Sequence, residues 1–152
     1  MIEVQNLRKS FDNTEVLKGI STTFETGKVN LVIGQSGSGK TVFLKSLLNV
    51  YEPSEGHILF DGRDIVGMGR KEKEQLRSEI GTVFQGSALF DSMTVQDNIM
   101  FPLDMFTNLT FTEKKKRVRE VMGRVHLENA EKKFPSEISG GMQKRVAIAR
   151  AI

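Results

Sequence analysis

Residues 33–48 read IGQSGSGKTVFLKSLL, a cluster of Gly, Ser and Lys set between an apolar run and a helical pattern. Within it, Gly34-Gln35-Ser36-Gly37-Ser38-Gly39-Lys40-Thr41 satisfies the pattern G-x-x-x-x-G-K-[ST]. The run before it, VNLVI at 29–33, is short, apolar and followed by Gly, which predicts a buried strand; the residues after it predict a helix over 40–50. Glycine reaches torsions closed to other residues, so successive backbone N–H groups can curl round a phosphate and approach it closely. The following helix adds unsatisfied N–H groups, Val42 among them, and the positive end of its dipole. Lys40 is placed to reach the β- and γ-phosphates as a point charge, and the Thr41 hydroxyl to ligate Mg²⁺. The loop points to a nucleoside triphosphate and leaves open what its energy is used for.

The rest of the chain is consistent with a globular protein of one domain or part of one. It has 152 residues, 38% hydrophobic and 27% charged, without a polar low-complexity tract. The net charge of +3 comes from Lys and Arg interleaved with Asp and Glu, which reads as an ordinary solvated surface. No Cys is present, which excludes thiol catalysis, disulfides and Cys-based zinc sites. The start, MIEVQNLRKSF, lacks the apolar core of a signal peptide. The longest apolar stretches, such as VNLVI and MFPLDMF, fall far below the roughly 20 residues that cross a bilayer, so any membrane role is expected to be peripheral.

IEVQNL and VLKGISTTFE predict strands joined by a turn in FDNTE; HILF predicts another, before a turn at DGRDI. RKEKEQLRSEI has a charged helical face, and GTVFQ at 81–85 predicts one more buried strand. Thr110 and Glu113 form a candidate capping box before a helix whose Val118, Val121, Met122 and Val125 share one apolar face. Pro135 and Ser136 introduce a final helix from about Gly140. His57 in a strand and His126 at a helix end have no third ligand nearby, which argues against a metal site built on them.

With the phosphate loop in place, three further segments make the chain resemble the nucleotide-binding domain of an ATP-binding-cassette (ABC) transporter, in the family's order along all 152 residues. SFDNTEVLKGI resembles the adenine-stacking loop, with Phe11 on the base and Val16 beside it; Phe in place of the usual Tyr keeps stacking and loses a hydroxyl. GTVFQ resembles the Q-loop, whose glutamine, here Gln85, contacts Mg²⁺ and senses the transport subunit. ISGGMQKR resembles the signature usually written LSGGQ, with Ile138 for Leu and Met142 for Gln. Ser139, Gly140 and Gly141 there precede a helix start, a second phosphate-binding device. In the family this device grips ATP held by the opposite subunit, so that two nucleotides lie in a head-to-tail dimer.

The resemblance implies an α/β fold: a P-loop NTPase core with an N-terminal antiparallel β-subdomain and a helical subdomain. The parts would be the β-subdomain and P-loop core over 1–85, the helical subdomain over 86–138, and the signature with its helix over 139–152. It implies ATP and Mg²⁺ as cofactors, a second copy of the ATPase subunit, an integral-membrane permease, and peripheral placement on the cytoplasmic face of the inner membrane. Lys40 and Gln85 would serve catalysis, with Thr41 and Gln85 on the metal. GQSGSGKTV, FQGSALFDSMTVQDNIMFPL and the Met of SGGM resemble, within the family, the ATPase of Mla-type systems, which move phospholipids with an MCE-domain partner. Amino-acid import and lipoprotein release are the alternatives within transport. A soluble, non-transport ATPase of the family is the alternative outside transport; members that bind nucleic acid typically carry two cassettes in one chain or a long coiled-coil insertion, and neither is present in these residues, so no nucleic-acid partner is expected. Leu89 and Phe90 read either as part of a groove for a permease helix or as core.

In the family the signature helix is followed by an apolar strand ending in Asp-Glu and by a switch histidine. The resemblance therefore implies that the C-terminal part of the fold is missing from these 152 residues, that VNLVI lacks a backbone partner, and that the chain alone does not turn over ATP.

Overall fold

A computed structural model describes residues 1–152, which divide into two compact units, Met1–Arg77 and Ser78–Ile152. The first is built on a four-stranded antiparallel sheet in the order β2-β1-β3-β4, from β1 (Ile2–Phe11), β2 (Thr14–Phe24), β3 (Glu55–Phe60) and β4 (Arg63–Asp64). The turns are chemically specified. Asp12 has φ 50, and Asp61 and Gly62 have φ 46 and 79, the pair of positive values that a tight hairpin turn requires. In β1 the buried residues are Val4 and Leu7, three apart, which a regular strand cannot place on one face. A register shift between them, with Asn6 at φ 46, resets the alternation, and the Ser21 hydroxyl accepts the Asn6 amide.

Helix α1 (Lys40–Leu47) turns Phe43 and Leu47 into this unit's core, which also holds Leu17, Ile58, Ile65 and Leu76. It ends short of the expected residue 50: Asn49 takes φ 50 and its buried amide donates to the Ile65 carbonyl at 3.0 Å. Helix α2 (Arg70–Ser78) is polar except for buried Leu76.

At the open end of the sheet, Asp64 accepts from the Val66 amide at 3.0 Å, and its other oxygen lies 2.6 Å from His57 Nδ1. Burial pushes this carboxyl's pKa up, but the Val66 amide, the hydrogen bond and charge of His57 and the Ile58 amide outweigh it, so the pKa lies below its ordinary 3.8. The carboxyl is thus more acidic folded than unfolded. Its contribution to stability is complete above the ordinary value and is lost as pH falls through the lowered one. Acid-unfolding curves of Asp64→Asn should be flatter than the parent's in that window, and superimposable curves would show that Asp64 is not linked to folding.

The second unit is helical, with α3 (Val95–Phe106), α4 (Phe111–Arg124) and α5 (Gly140–Ala151) around a core of Val95, Ile99, Met100, Val118, Val121, Met122, Leu127 and Val146. The Thr110–Glu113 box is formed: Thr110 Oγ1 accepts from the Glu113 amide and Glu113 accepts from the Thr110 amide. The Thr110 hydroxyl, which donates to the Glu113 carboxylate at 2.6 Å, and the Thr110 amide together hold that carboxyl below its usual range. Thr110→Ala should cost about 1 kcal/mol, read by chemical denaturation. Helix α3 is not evident from the periodicity, because Pro102 interrupts it and leaves the Asn98 carbonyl without an amide four residues on. Its own capping box, Thr94 with Asp97, is the sequence signal that marks it.

Two expected strands are not formed. Residues 29–33 have no hydrogen-bonded secondary structure, and Val29, Leu31 and Ile33 are 101%, 82% and 80% exposed. Residues 81–85 are likewise irregular, with Val83 and Phe84 exposed. A strand exists only by lateral pairing, and the sheet β2-β1-β3-β4 supplies neither segment with a neighbour. No helix is long and apolar enough to cross a membrane.

Candidate functional site

In the first unit, the residues of the Gly34–Thr41 loop are exposed or half-buried and run straight into α1. Gly37 and Gly39 have φ 80 and 90, a left-handed region that only glycine enters without strain. A side chain on Gly39 would also press on Leu17 and Val16, with a Cβ 3.1–3.3 Å from their atoms. A Cβ on Gly34 would stand 2.7 Å from Ser38 Oγ. The loop is a cradle that side chains would fill, and its only strong cation is at the rim. Lys40 Nζ donates to the Gly34 and Gln35 carbonyls at 2.8 and 2.7 Å, which fastens the loop to the first turn of α1.

Helix α1 has Gly39 as N-cap and no side-chain cap, so its first amides, those of Lys40, Thr41 and Val42, are not claimed by a side chain. Left-handed glycines, free helical amides and a lysine that can exchange two carbonyls for phosphate oxygens fit a triphosphate. The exposed hydroxyl of Thr41 beside it is a hard oxygen donor of the kind Mg²⁺ takes.

The same unit brings Val16 against this loop at Gly39. Phe11 is 37% exposed and packs edge-on against Tyr51, with ring centroids 5.2 Å apart, and Lys9 Nζ lies 5.1 Å from its ring. Nothing in the sequence pattern marks Tyr51 as its partner. It lies just past α1, 40 positions from Phe11, and nothing local couples the two.

Gln85 and the signature belong to the second unit. Gln85 is exposed, and the turn after it places Ser87 and Ala88 at φ 61 and 48. Leu89 packs against the helical core, as the core reading expects of it, whereas Phe90 is 41% exposed and lies tilted against Phe101 with ring centroids 4.8 Å apart.

Ser139 is the N-cap of α5, its Oγ accepting from the Met142 amide at 3.3 Å. That bond uses an acceptor site and leaves the hydroxyl proton free to donate. A Cβ on Gly140 would meet nothing, so Gly140 and Gly141 keep open access to the first amides of α5. Gln143 Nε2 donates to the Pro135 carbonyl at 2.9 Å, fixing the entry to the helix. Each unit thus presents one helix N-terminus preceded by small residues, and the one in the first unit carries the lysine.

Comparison with known proteins agrees with this geometry. The family model described as ABC transporter matches residues 17–152. The probable ribonucleotide transport ATP-binding protein mkl of Mycobacterium bovis is 44% identical over 151 residues, covering 99% of this chain and 42% of that protein. The methionine import ATP-binding protein MetN 1 of Rhodococcus jostii is 39% identical, covering 100% of this chain and 46% of that protein. Among solved structures, a dimeric ATP-binding cassette in a post-hydrolysis state with ADP and Pi superposes at TM-score 0.89 with 29% identity, over 100% of this chain and 69% of that one. The cbiO1 protein of Clostridium perfringens does so at 0.88 with 33% identity, over 99% of this chain and 60% of that one. The chain spans less than half the length of these curated relatives. With a glycine-rich loop leading into α1, a capped Ser-Gly-Gly helix start on α5 and an α/β fold shared with solved cassettes, the chain belongs to the ABC transporter family, as an ATP-binding domain.

Proposed function

We propose that this chain is the nucleotide-binding part of a subunit that powers a membrane transporter by binding and hydrolysing ATP. The observation that carries this reading is the Gly34–Thr41 cradle, with Lys40 held at its rim and open helical amides behind it. Gly34, Gln35, Ser36, Gly37, Ser38, Gly39 and Val42 would bind the phosphates through backbone N–H groups, with Lys40 neutralising charge. Thr41 and Gln85 would hold Mg²⁺, which when bound would draw charge from the phosphate oxygens. Phe11 would stack on the base, and Val16 would pack beside it. Ser139, Gly140 and Gly141 would complete the site of a second copy of the subunit in a head-to-tail dimer. On this reading 1–85 is the β-subdomain and phosphate core, 86–138 the helical subdomain and 139–152 the signature. The protein would work peripherally, at the cytoplasmic face of the inner membrane.

The cargo we propose is phospholipid, moved with a permease and an MCE-domain lipid-binding protein as in Mla-type systems, on the strength of FQGSALFDSMTVQDNIMFPL and the Met of SGGM. Amino-acid import is the second reading, favoured by the methionine importer relative that matches the full chain at 39% identity. Purification of the full-length protein with its membrane subunits, followed by lipid and amino-acid transport assays in vesicles, separates the two. ATP-driven amino-acid uptake without lipid movement would reject the phospholipid reading.

A finer test uses the two residues that the structure separates. Phe90→Glu should leave ATP titration and thermal stability near the parent's while uncoupling ATPase activity from transport, because the ring is exposed. Leu89→Glu should instead destabilise the protein, by about 2–4 kcal/mol, because that side chain packs on the core. Full coupling in Phe90→Glu would exclude residues 86–101 as the permease groove. Within the 152 residues no Asp is followed directly by Glu, so the isolated chain is expected to bind nucleotide weakly and not to turn it over. Phosphate release measured beside the full-length protein checks this.

A further inference from the structure

Arg150 lies in the last turn of α5, the helix that Ser139 caps at its other end, about 16 Å away at 1.5 Å per residue. Its guanidinium donates to two successive carbonyls of the turn after Gln85, Nη1 to Ala88 at 2.8 Å and Nη2 to Ser87 at 3.0 Å, and its Cζ is 5.9 Å from the Phe90 ring centroid. Both accepting residues are held at positive φ, which is unfavourable for side chains with a Cβ and persists only where the surroundings impose it. The planar fork of an arginine matches a pair of carbonyls in a way that an ammonium does not. From the opposite side, Asn98 of α3 grips the same turn at the Phe90 amide and carbonyl. The turn is therefore clamped between two helices, and one of them begins at the Ser-Gly-Gly segment.

We propose that Arg150 is a positioning residue that ties the turn after Gln85 to the signature helix, so that a displacement at Ser139–Gly141 is carried through α5 to residues 87–90. The inference rests on the functional reading above, in which the start of α5 engages nucleotide and residues 86–101 face the permease. It adds the link between them. A hydrogen-bonded helix moves as a rigid body, and a two-pronged bond at its far end converts that movement into a shift of the turn instead of slippage past it.

The experiment is hydrogen exchange of the full-length protein, read on peptides covering 86–94 with and without a non-hydrolysable Mg-ATP analogue. The parent should show altered exchange at this segment when nucleotide binds. In Arg150→Gln that change should shrink by at least about fivefold while nucleotide affinity stays within about twofold of the parent. Arg150→Lys, which keeps the charge and the stem but not the fork, should give a reduced response. Arg145→Gln is the control: it lies on the same helix, but its guanidinium bonds the Val125 and His126 carbonyls, so its response at 86–94 should equal the parent's.

A full response in Arg150→Gln overturns the proposal, as does an equal loss in Arg145→Gln, which would mean general loosening of α5. If Arg150→Gln does not fold, Arg150→Lys decides, and a parent-sized response there overturns the fork. A parent that binds nucleotide with no change at 86–94 also overturns it. Failure of the parent to bind nucleotide refutes the functional reading itself, which titration reports separately.

Discussion

Replacing Lys40 by alanine should weaken ATP binding by about ten- to more than a hundred-fold, the loss of a charge-assisted contact of roughly 1.5–3 kcal/mol. The ammonium stands at the rim of the cradle, 2.8 and 2.7 Å from the Gly34 and Gln35 carbonyls, and a triphosphate would offer it full negative charges in their place. Those two bonds also order the loop, so the variant loses some preorganisation as well as charge. The measurement is an ATP titration of the full-length protein with Mg²⁺ present, accompanied by a melting curve to confirm folding. An unchanged dissociation constant would remove the cradle as the nucleotide site and the proposed function with it.

The second large effect lies in the helical unit. Asn98 is 0% exposed and satisfied on every side. Its Oδ1 accepts the Phe90 amide at 2.8 Å, and its Nδ2 donates to the carbonyls of Phe90, Met93 and Thr94 at 3.1, 3.1 and 3.0 Å. Asn98→Ala leaves the Phe90 amide without its acceptor and opens a small cavity beside it. Two costs of ordinary size, an unmet buried donor and lost packing, sum to about 3 kcal/mol, or a fall of roughly 10 °C in melting temperature. Asn98→Asp should not rescue it, because the carboxylate keeps the acceptor but loses the donor that serves three carbonyls. Thermal and urea denaturation read both variants. A loss under about 1 kcal/mol would mean that water replaces the side chain and that the 87–94 turn does not depend on it.

These two residues differ in how they could be found. Lys40 is legible from the chain alone because its partners are five and six positions away and the glycines that shape the loop are adjacent to it. The same holds for the Thr110–Glu113 box and for Ser139 as the cap of α5, where donor and acceptor are three residues apart and backbone geometry brings them together. The hairpin turns at Asp12 and Asp61-Gly62 follow from side chains that tolerate positive φ. Such features are written in local torsions, so the sequence by itself determined the glycine-rich loop before α1, the β1–β2 hairpin and the capped helices α4 and α5.

Only the tertiary structure decided what depends on distant partners. VNLVI and GTVFQ have the composition of buried strands, but strand formation needs a neighbour to take up every second N–H and C=O, and neither segment pairs with β1 to β4. Helix α3 was hidden by Pro102 and is held in place by burial of Val95, Ile99 and Met100. The pairing of Phe11 with Tyr51 and the fork of Arg150 on Ser87 and Ala88 join residues 40 to 63 positions apart, and no spacing rule encodes them. A side chain's local torsions can announce a turn or a cap; which surface it meets across the chain is settled by packing, where burial and hydrogen-bond satisfaction are decided for all elements at once.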